Sequence, residues 1–488
     1  TAAYDPGASQ PPAPPGIGQA VFLDGRPFPE RPVFSSALAP AARTLHVSRQ
    51  APPAGGDGSR ERPWNDLQAA VRSLSPGDRL LVGPGEYRGP LRIDASCRNG
   101  MPQAPIQVVF EKATFAGSGS EPVVTAGRAF WRFEGFSAGL EEGPEPAFAV
   151  EGPDARGIVF DRARISGGAG PGARIGAGAS DVVLANSSFS RSGRGVSPVG
   201  AIGISIEPGS TGVRVVGNRV FDRPSGAVRI GPPIAVSGTG PPPRDIVVEG
   251  NTFVGSRSPA VLVTAGEGLR ISGNTILSTE WAGGLEGRGI VIEGGTGVRI
   301  EGNHVVDAPV SVQVGWVEPD GPGQSQPADV LVARNYFERR GAPDPSGVDV
   351  EAGDNVRIAN NVFDGVFDGV LLFGGPPRTR HVVIANNLLL GVSRLAFRVD
   401  DLSCASLFDG NLFSPRTSSV PIEIGGEIRD LRRYLFDGHM RRSRLVPGVR
   451  ILHKDLGRVD GVEIRDSGIP VEGVRFEGRA PDLGLSEH

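Results

Sequence analysis

The chain has 488 residues with 72 glycines, 44 prolines, only 6% aromatic residues and a formal net charge of -4. It holds no apolar run near the ~20 residues that a membrane-spanning helix needs. It also lacks a basic domain, or a glycine loop leading into a helix, that could hold nucleic acid or nucleotide phosphate. Short alternating apolar runs between the glycines and prolines predict many short strands instead.

From the N-terminus, residues 1–43 place Pro11, Pro12, Pro14 and Pro15 among small neighbours. That composition favours extended chain over packed core, so a strap or linker is expected. Thr1 opens no basic segment followed by an apolar stretch, as expected of a mature or trimmed chain. Within Trp64–Leu74, the residues Leu67, Ala70, Val71 and Leu74 fall on one helical face. The short helix this predicts can plug the open apolar end of a solenoid. Residues 44–120 therefore read as a cap with the first turns, 121–425 as stacked turns, and 426–488 as a C-terminal cap or tail.

The stacked turns align on Asn218, Asn251, Asn274, Asn303, Asn335, Asn361, Asn387 and Asn411. Two residues after each comes an apolar side chain: Val220, Phe253, Ile276, Val305, Phe337, Phe363, Leu389 and Phe413. Spacings of 23 to 33 residues suit a turn of about 22 residues carrying loops of variable length. An inward amide at each bend can bond to backbone and to the amide of the next turn, which predicts an internal ladder. A strand with alternating apolar positions, such as Val298 and Ile300, precedes each asparagine. Another strand per turn reads apolar-x-apolar, as in Ile290-Val291-Ile292 and Val348-Asp349-Val350. An all-β, single-stranded parallel β-helix with a short N-terminal capping helix follows.

The Trp64–Leu74 helix, Ser75-Pro76-Gly77-Asp78, Gly83-Pro84-Gly85-Glu86-Tyr87 and Ala104-Pro105-Ile106 together resemble the N-terminal signature of bacterial right-handed β-helix proteins acting on polysaccharides. That broad group holds polysaccharide lyases, uronan epimerases and some glycosidases. The tail from Gly468-Ile469-Pro470-Val471 to Ala480-Pro481-Asp482-Leu483-Gly484 is similar to its closing segment, so the resemblance spans roughly residues 44 to 486. It implies a right-handed solenoid and a secreted, periplasmic or cell-surface protein with an anionic polysaccharide as partner. Cap, ladder and tail are structural, so they do not choose the reaction. Several lyases of the group use a lysine base. Here Lys112 and Lys454 are the only lysines and both lie away from the middle turns. No Asp-Pro-His-Asp motif of the epimerase kind is present either.

Outward positions supply the candidates for chemistry. The residue after each ladder asparagine places Thr275, His304 and Tyr336 on successive turns, with His304 and Tyr336 as base and acid at a uronate. Arg299 or Arg270 would neutralise the carboxylate and stabilise the enolate. On this reading His304 is exposed, and His304→Ala abolishes activity with little change in melting. Arg214, Arg270, Arg299 and Arg357 form an outward row suited to repeated acid groups, with Arg229 on the other strand. A rival set is Asp349 and Glu351 with Arg398 and Asp400 two turns on, where Glu351 and Asp400 would stand about 9.6 Å apart, near the limit for an inverting carboxylate pair. No cofactor is required, although Asp349, Glu351 and Asp400 could hold calcium. Insertions at Gly231–Arg244, Ser278–Arg288 with Trp281, and Gly315–Ala328 with Trp316 are expected to wall a groove. Lyase or epimerase action on a uronate polymer is the first expectation. Inverting glycoside hydrolysis and binding without catalysis are the alternatives. Cys97 and Cys404 are expected as unpaired thiols.

Overall fold

This computed structural model describes residues 40–445 apart from 118–119, 142, 191–201, 234–239, 256–257, 278–286, 316–325, 375–377, 415–420, 437–439 and 441, and beyond them 458–459, 462–463, 468–474, 476 and 483. Most of the expected N-terminal strap, residues 1–39, lies outside this set.

Each turn contributes one strand to each of three sheets, of 15, 14 and 14 strands. Pairing is parallel along all three until the antiparallel strand Glu427–Asp430 closes on Pro421–Ile424. One turn shows the logic. Thr296–Glu301 lies in the first sheet, His304–Val306 in the second and Val310–Val314 in the third, before Ala328–Ala333 begins the next turn. Val298, Ile300, Val305, Val312 and Val314 point inward and are buried, while Arg299, His304 and Gln313 occupy outward positions.

The bend between first and second sheets is what the asparagines build. Asn303 Nδ2 donates to Ile271 O at 2.9 Å and to Asn335 Oδ1 at 3.0 Å. Its own Oδ1 accepts from the backbone N–H and Nδ2 of Asn274. The pattern repeats from Asn218 to Asn411 and ends in serine at both termini, with Ala163 N–H bonded to Ser187 Oγ and Asn411 N–H to Ser443 Oγ. The residue before each asparagine must adopt positive φ. Gly302 does so freely at 65°, whereas Arg334, Asn360 and Asn386 do so despite their side chains.

The core of the earlier turns is aromatic. Phe133, Phe160, Phe148 and Phe136 stack with successive centroids 4.8, 4.1 and 4.9 Å apart. The helix Leu67–Ser73, N-capped by Asp66, buries Leu67, Ala70 and Val71 against the first turns. At the other end, the helix Leu431–Phe436 buries Leu431 and Tyr434. Cys97 and Cys404 are both buried and unbonded. Among the described residues no helix is long and apolar enough to cross a membrane.

Candidate functional site

The register aligns Thr275, His304 and Tyr336 on the second sheet, as the spacing predicts. The expected exposure of His304 is corrected: it is only 2% exposed. Its ring stacks on Tyr336 at 4.9 Å, and its Nε2 donates to Glu338 Oε2 at 2.8 Å. Tyr336 Oη donates to Asp364 Oδ2 at 2.9 Å. Burial, then the Asp364 and Glu338 charges, push the Tyr336 hydroxyl far above its ordinary value. Burial alone would also raise Glu338, but hydrogen bonds from His304 and Arg340 outweigh it and hold that carboxyl near 2. Tyr336 and Glu338 of the next turn pack on the outward position, and Asp307 accepts from the backbone N–H groups of Arg340, Gly341 and Ala342, which ties the following connection to the His304 turn. His304→Ala is therefore expected to cost about 2–4 kcal/mol, from one buried ring pair and one charge-assisted hydrogen bond. A thermal melt checks this, and an unchanged midpoint would contradict it.

Arg299 does not join that pair. It belongs to the first sheet, on the far side of the Asn303 bend, where it bonds Glu301 at 2.9 Å and the carbonyl of Gly473 at 2.7 Å. The row Arg214, Val247, Arg270, Arg299, Leu331, Arg357 is in register as expected. Its lower part is occupied by the chain itself, because Glu472 pairs with Arg357 and Val471 and Val474 cover Leu331, Ala333, Ala359 and Ala385. Asn386 holds Ile469 through both its amide atoms. Arg214 and Arg270 remain exposed, Arg270 near Glu249.

The third sheet gathers a different set. Gln313, Asp349, Leu371 and Arg398 are successive outward neighbours. Glu151, Glu207, Glu293, Glu351 and Asp400 each directly follow a strand of this sheet. Asp349, Asp368 and Glu423 lie within its strands. The cations on these strands or next to them are Arg174, Arg229, Arg394 and Arg398. A glycine at 315 is required beside Glu351, since a Cβ there would stand 2.3 Å from Ala352 O.

Asp349 is 8% exposed and Gln313 is fully buried. Gln313 Nε2 donates to Glu351 Oε1 at 2.8 Å and to Gly315 O at 3.2 Å. Gln313 Oε1 and Asp349 Oδ1 are buried and accept no hydrogen bond among the described residues. Burial first, then the Asp368 and Glu351 carboxylates, push Asp349 up to about 7 against the pull of Arg288 and Arg394. Asp368 is held by Arg394, whose Nε lies 2.8 Å from Oδ1, and by the N–H of Leu395. Arg398 is bonded to Asp400 at 2.8 Å, and Asp400 also accepts from Gly374 N–H. No three His, Cys, Asp or Glu side chains form a metal-holding group among the described residues. Arg229 lies higher on the same sheet, bonded to Ser205 Oγ at 2.9 Å.

Sequence reasoning missed Gln313, Asp368, Arg394 and Arg288. Gln313 was findable, because the Val312-Gln313-Val314 register sets it beside Asp349 on the next turn, whereas Asp368 stands opposite Ser346. Arg288 and Arg394 precede their strands and carry no periodic signal. The bends between first and second sheets take two residues, as at 302–303, whereas the long connections 231–246, 278–289 and 315–327 all enter or leave the third sheet. Trp281 and Trp316 lie outside the described residues.

A family model described as right-handed β-helix region matches residues 147–318. With the three stacked sheets, this defines the chain as a right-handed parallel β-helix protein. No curated protein sequence matches it. Among solved structures it is similar to the catalytic unit of a GH87 α-1,3-glucanase from Streptomyces thermodiastaticus, with 15% identity, 78% of this chain and 70% of that chain covered, and a TM-score of 0.53. It is similar to the pectate lyase Pel9A, with 16% identity, 92% and 97% covered and a TM-score of 0.44. It is also similar to PfbA, a surface adhesin of Streptococcus pneumoniae, with 13% identity, 75% and 92% covered and a TM-score of 0.47.

Proposed function

We propose that this protein acts on a polysaccharide lying along the outer face of the third sheet, hydrolysing it with Asp349 as general acid and Glu351 as the base that activates water. The observation that carries this reading is the buried Asp349 carboxyl, pushed to about 7 beside a second carboxylate. An acid of that strength still carries its proton in about half of the molecules at neutral pH and can give it to a leaving glycosidic oxygen. Asp349 and Glu351, the residue that directly follows its strand, are two residues apart, roughly 6.6 Å by strand rise, at the lower end of the spacing that admits a water and leads to inversion. Gln313 fixes the Glu351 carboxylate by its amide N–H. A polymeric substrate puts the work outside the cytoplasm, with the protein secreted, periplasmic or on the cell surface.

Incubation of the full chain with a panel of neutral, anionic and basic polysaccharides is expected to release reducing ends of inverted configuration without unsaturated product. Asp349→Asn is expected to lower that turnover by about 10²–10⁴. Unsaturated uronates would replace the reading with a lyase, and saturable binding with no product across the panel would replace it with a binding protein. Turnover is expected to survive a chelator, since Asp400 is engaged by Arg398 and Gly374. Loss on chelation, restored by calcium, would make Asp349 and Glu351 metal ligands.

A further inference from the structure

The third sheet carries a charge imbalance that bears on what kind of glycan it attracts. On its described strands and the residues next to them, from Phe148 to Ile424, eight carboxyl groups face four arginines, and Arg288, two residues ahead of the strand Ile290–Ile292, opposes them as a fifth, a formal surplus of three negative charges when Asp349 is ionised and two when it keeps its proton. Three of the four guanidinium groups are held in ion pairs, and the fourth, Arg229, bonds Ser205 Oγ while its Nε is buried without a hydrogen-bond partner among the described residues. Arg174 pairs with Glu145 and Glu151, Arg394 with Asp368, and Arg398 with Asp400 and Glu423. Arg229 faces Glu207. A polyanion laid on this face would meet carboxylates whose partners are already taken.

At the centre of the face the buried acceptors Gln313 Oε1 and Asp349 Oδ1 sit on register-paired residues of adjacent turns. Both side chains are more than nine-tenths buried. Gln313 cannot turn its amide N–H toward Asp349 without giving up Glu351 and Gly315. Around Asp349, the carboxylates of Asp368 and Glu351 are opposed by Arg288 and Arg394, and Glu293 acts on Arg288 in turn. A group that only donates, and carries positive charge, completes such a pair. An ammonium has three donors and no acceptor. A sugar hydroxyl can supply one donor but gains nothing from the surplus charge.

We propose that the glycan drawn to this face is cationic, a polymer of amino sugars with free ammonium groups, and that one ammonium docks between Gln313 and Asp349. This deepens the polysaccharide-acting reading and rests on it for the location of the chain. It replaces the anionic partner expected from the resemblance. The long-range attraction comes from the ridge of Glu151, Glu207, Glu293, Glu351 and Asp400, which the polymer would follow along the sheet.

The test is calorimetric binding of three hexasaccharides to the full chain: glucosamine, N-acetylglucosamine and galacturonate. The glucosamine hexamer is expected to bind about tenfold or more tighter than the N-acetylated one at low ionic strength. The margin should shrink as salt is added. Gln313→Leu removes an acceptor without changing charge and is expected to erase most of the preference. Glu207→Gln, several turns from Asp349, is expected to weaken glucosamine binding several-fold and leave the N-acetylated hexamer unaffected. Equal or tighter binding of the N-acetylated or galacturonate hexamer overturns the proposal, as does a glucosamine preference untouched by Glu207→Gln. The hydrolytic reading fails separately. If Asp349-dependent turnover occurs on a neutral or uronate polymer without glucosamine preference, hydrolysis stands and the cationic substrate falls. Glucosamine preference without turnover has the reverse meaning.

Discussion

Asn303→Leu is expected to destabilise the middle of the solenoid by about 2–6 kcal/mol, because two buried backbone groups lose their partners at about 1–3 kcal/mol each. Those groups are the carbonyl of Ile271 and the N–H of Asn274, both bonded to the Asn303 amide. The Asn274 amide also loses Asn303 Oδ1, and Asn335 Oδ1 loses one of its two donors. Leucine has similar bulk but restores none of these bonds. Damage should spread to both neighbouring turns, since each turn is stabilised largely by the next. Hydrogen exchange would show lost protection at Asn274 and at the Asn335 bend together with a lowered thermal midpoint. Protection unchanged at both bends would mean that the ladder contributes little.

A second large effect is expected at Asp349, in the dependence of stability on pH. Its carboxyl holds a proton up to about 7 in the folded chain against an ordinary 3.8. Between these values the folded state binds more protons than the unfolded state, so stability falls as pH rises. The contribution is fully present below pH ~4 and lost as pH passes through ~7, about 4 kcal/mol over the roughly three pH units between them. Asp349→Asn should remove this slope and raise stability at alkaline pH relative to the parent protein, even as turnover is lost. Glu338, held near 2, works in the opposite sense: its contribution is present above the ordinary carboxylate range and lost in strong acid. Denaturant titrations at pH values on either side of neutrality separate the two. Parallel slopes for the parent and Asp349→Asn would show that Asp349 ionises freely.

The architecture was legible because it depends on spacing. An asparagine every 23 to 33 residues, with an apolar residue two places later, places Asn303 and Val305 inside whatever the loops do. The same period assigns Arg299, His304 and Asp349 to outward positions, since neighbouring side chains along a strand alternate between faces. What the spacing does not carry is coverage. An outward position is exposed only if nothing packs across it, and His304 is buried against Tyr336 and Glu338, while Arg299 and Arg357 are met by Gly473 and Glu472 from far along the chain.

The charges of the third sheet show the same division. Asp349 and Glu351 stood out on one turn, with Asp400 as the partner carboxylate of Glu351, but the state of Asp349 depends on Asp368, Arg288 and Arg394 from three other turns. The sequence by itself determined the fold, the register and the direction of each side chain, because these follow from a local repeat with period two along strands and one asparagine per turn. Only the tertiary structure decided which outward groups are covered, which are paired and which carboxyl keeps its proton, because burial and ion pairing sum over neighbours that no sequence spacing brings together.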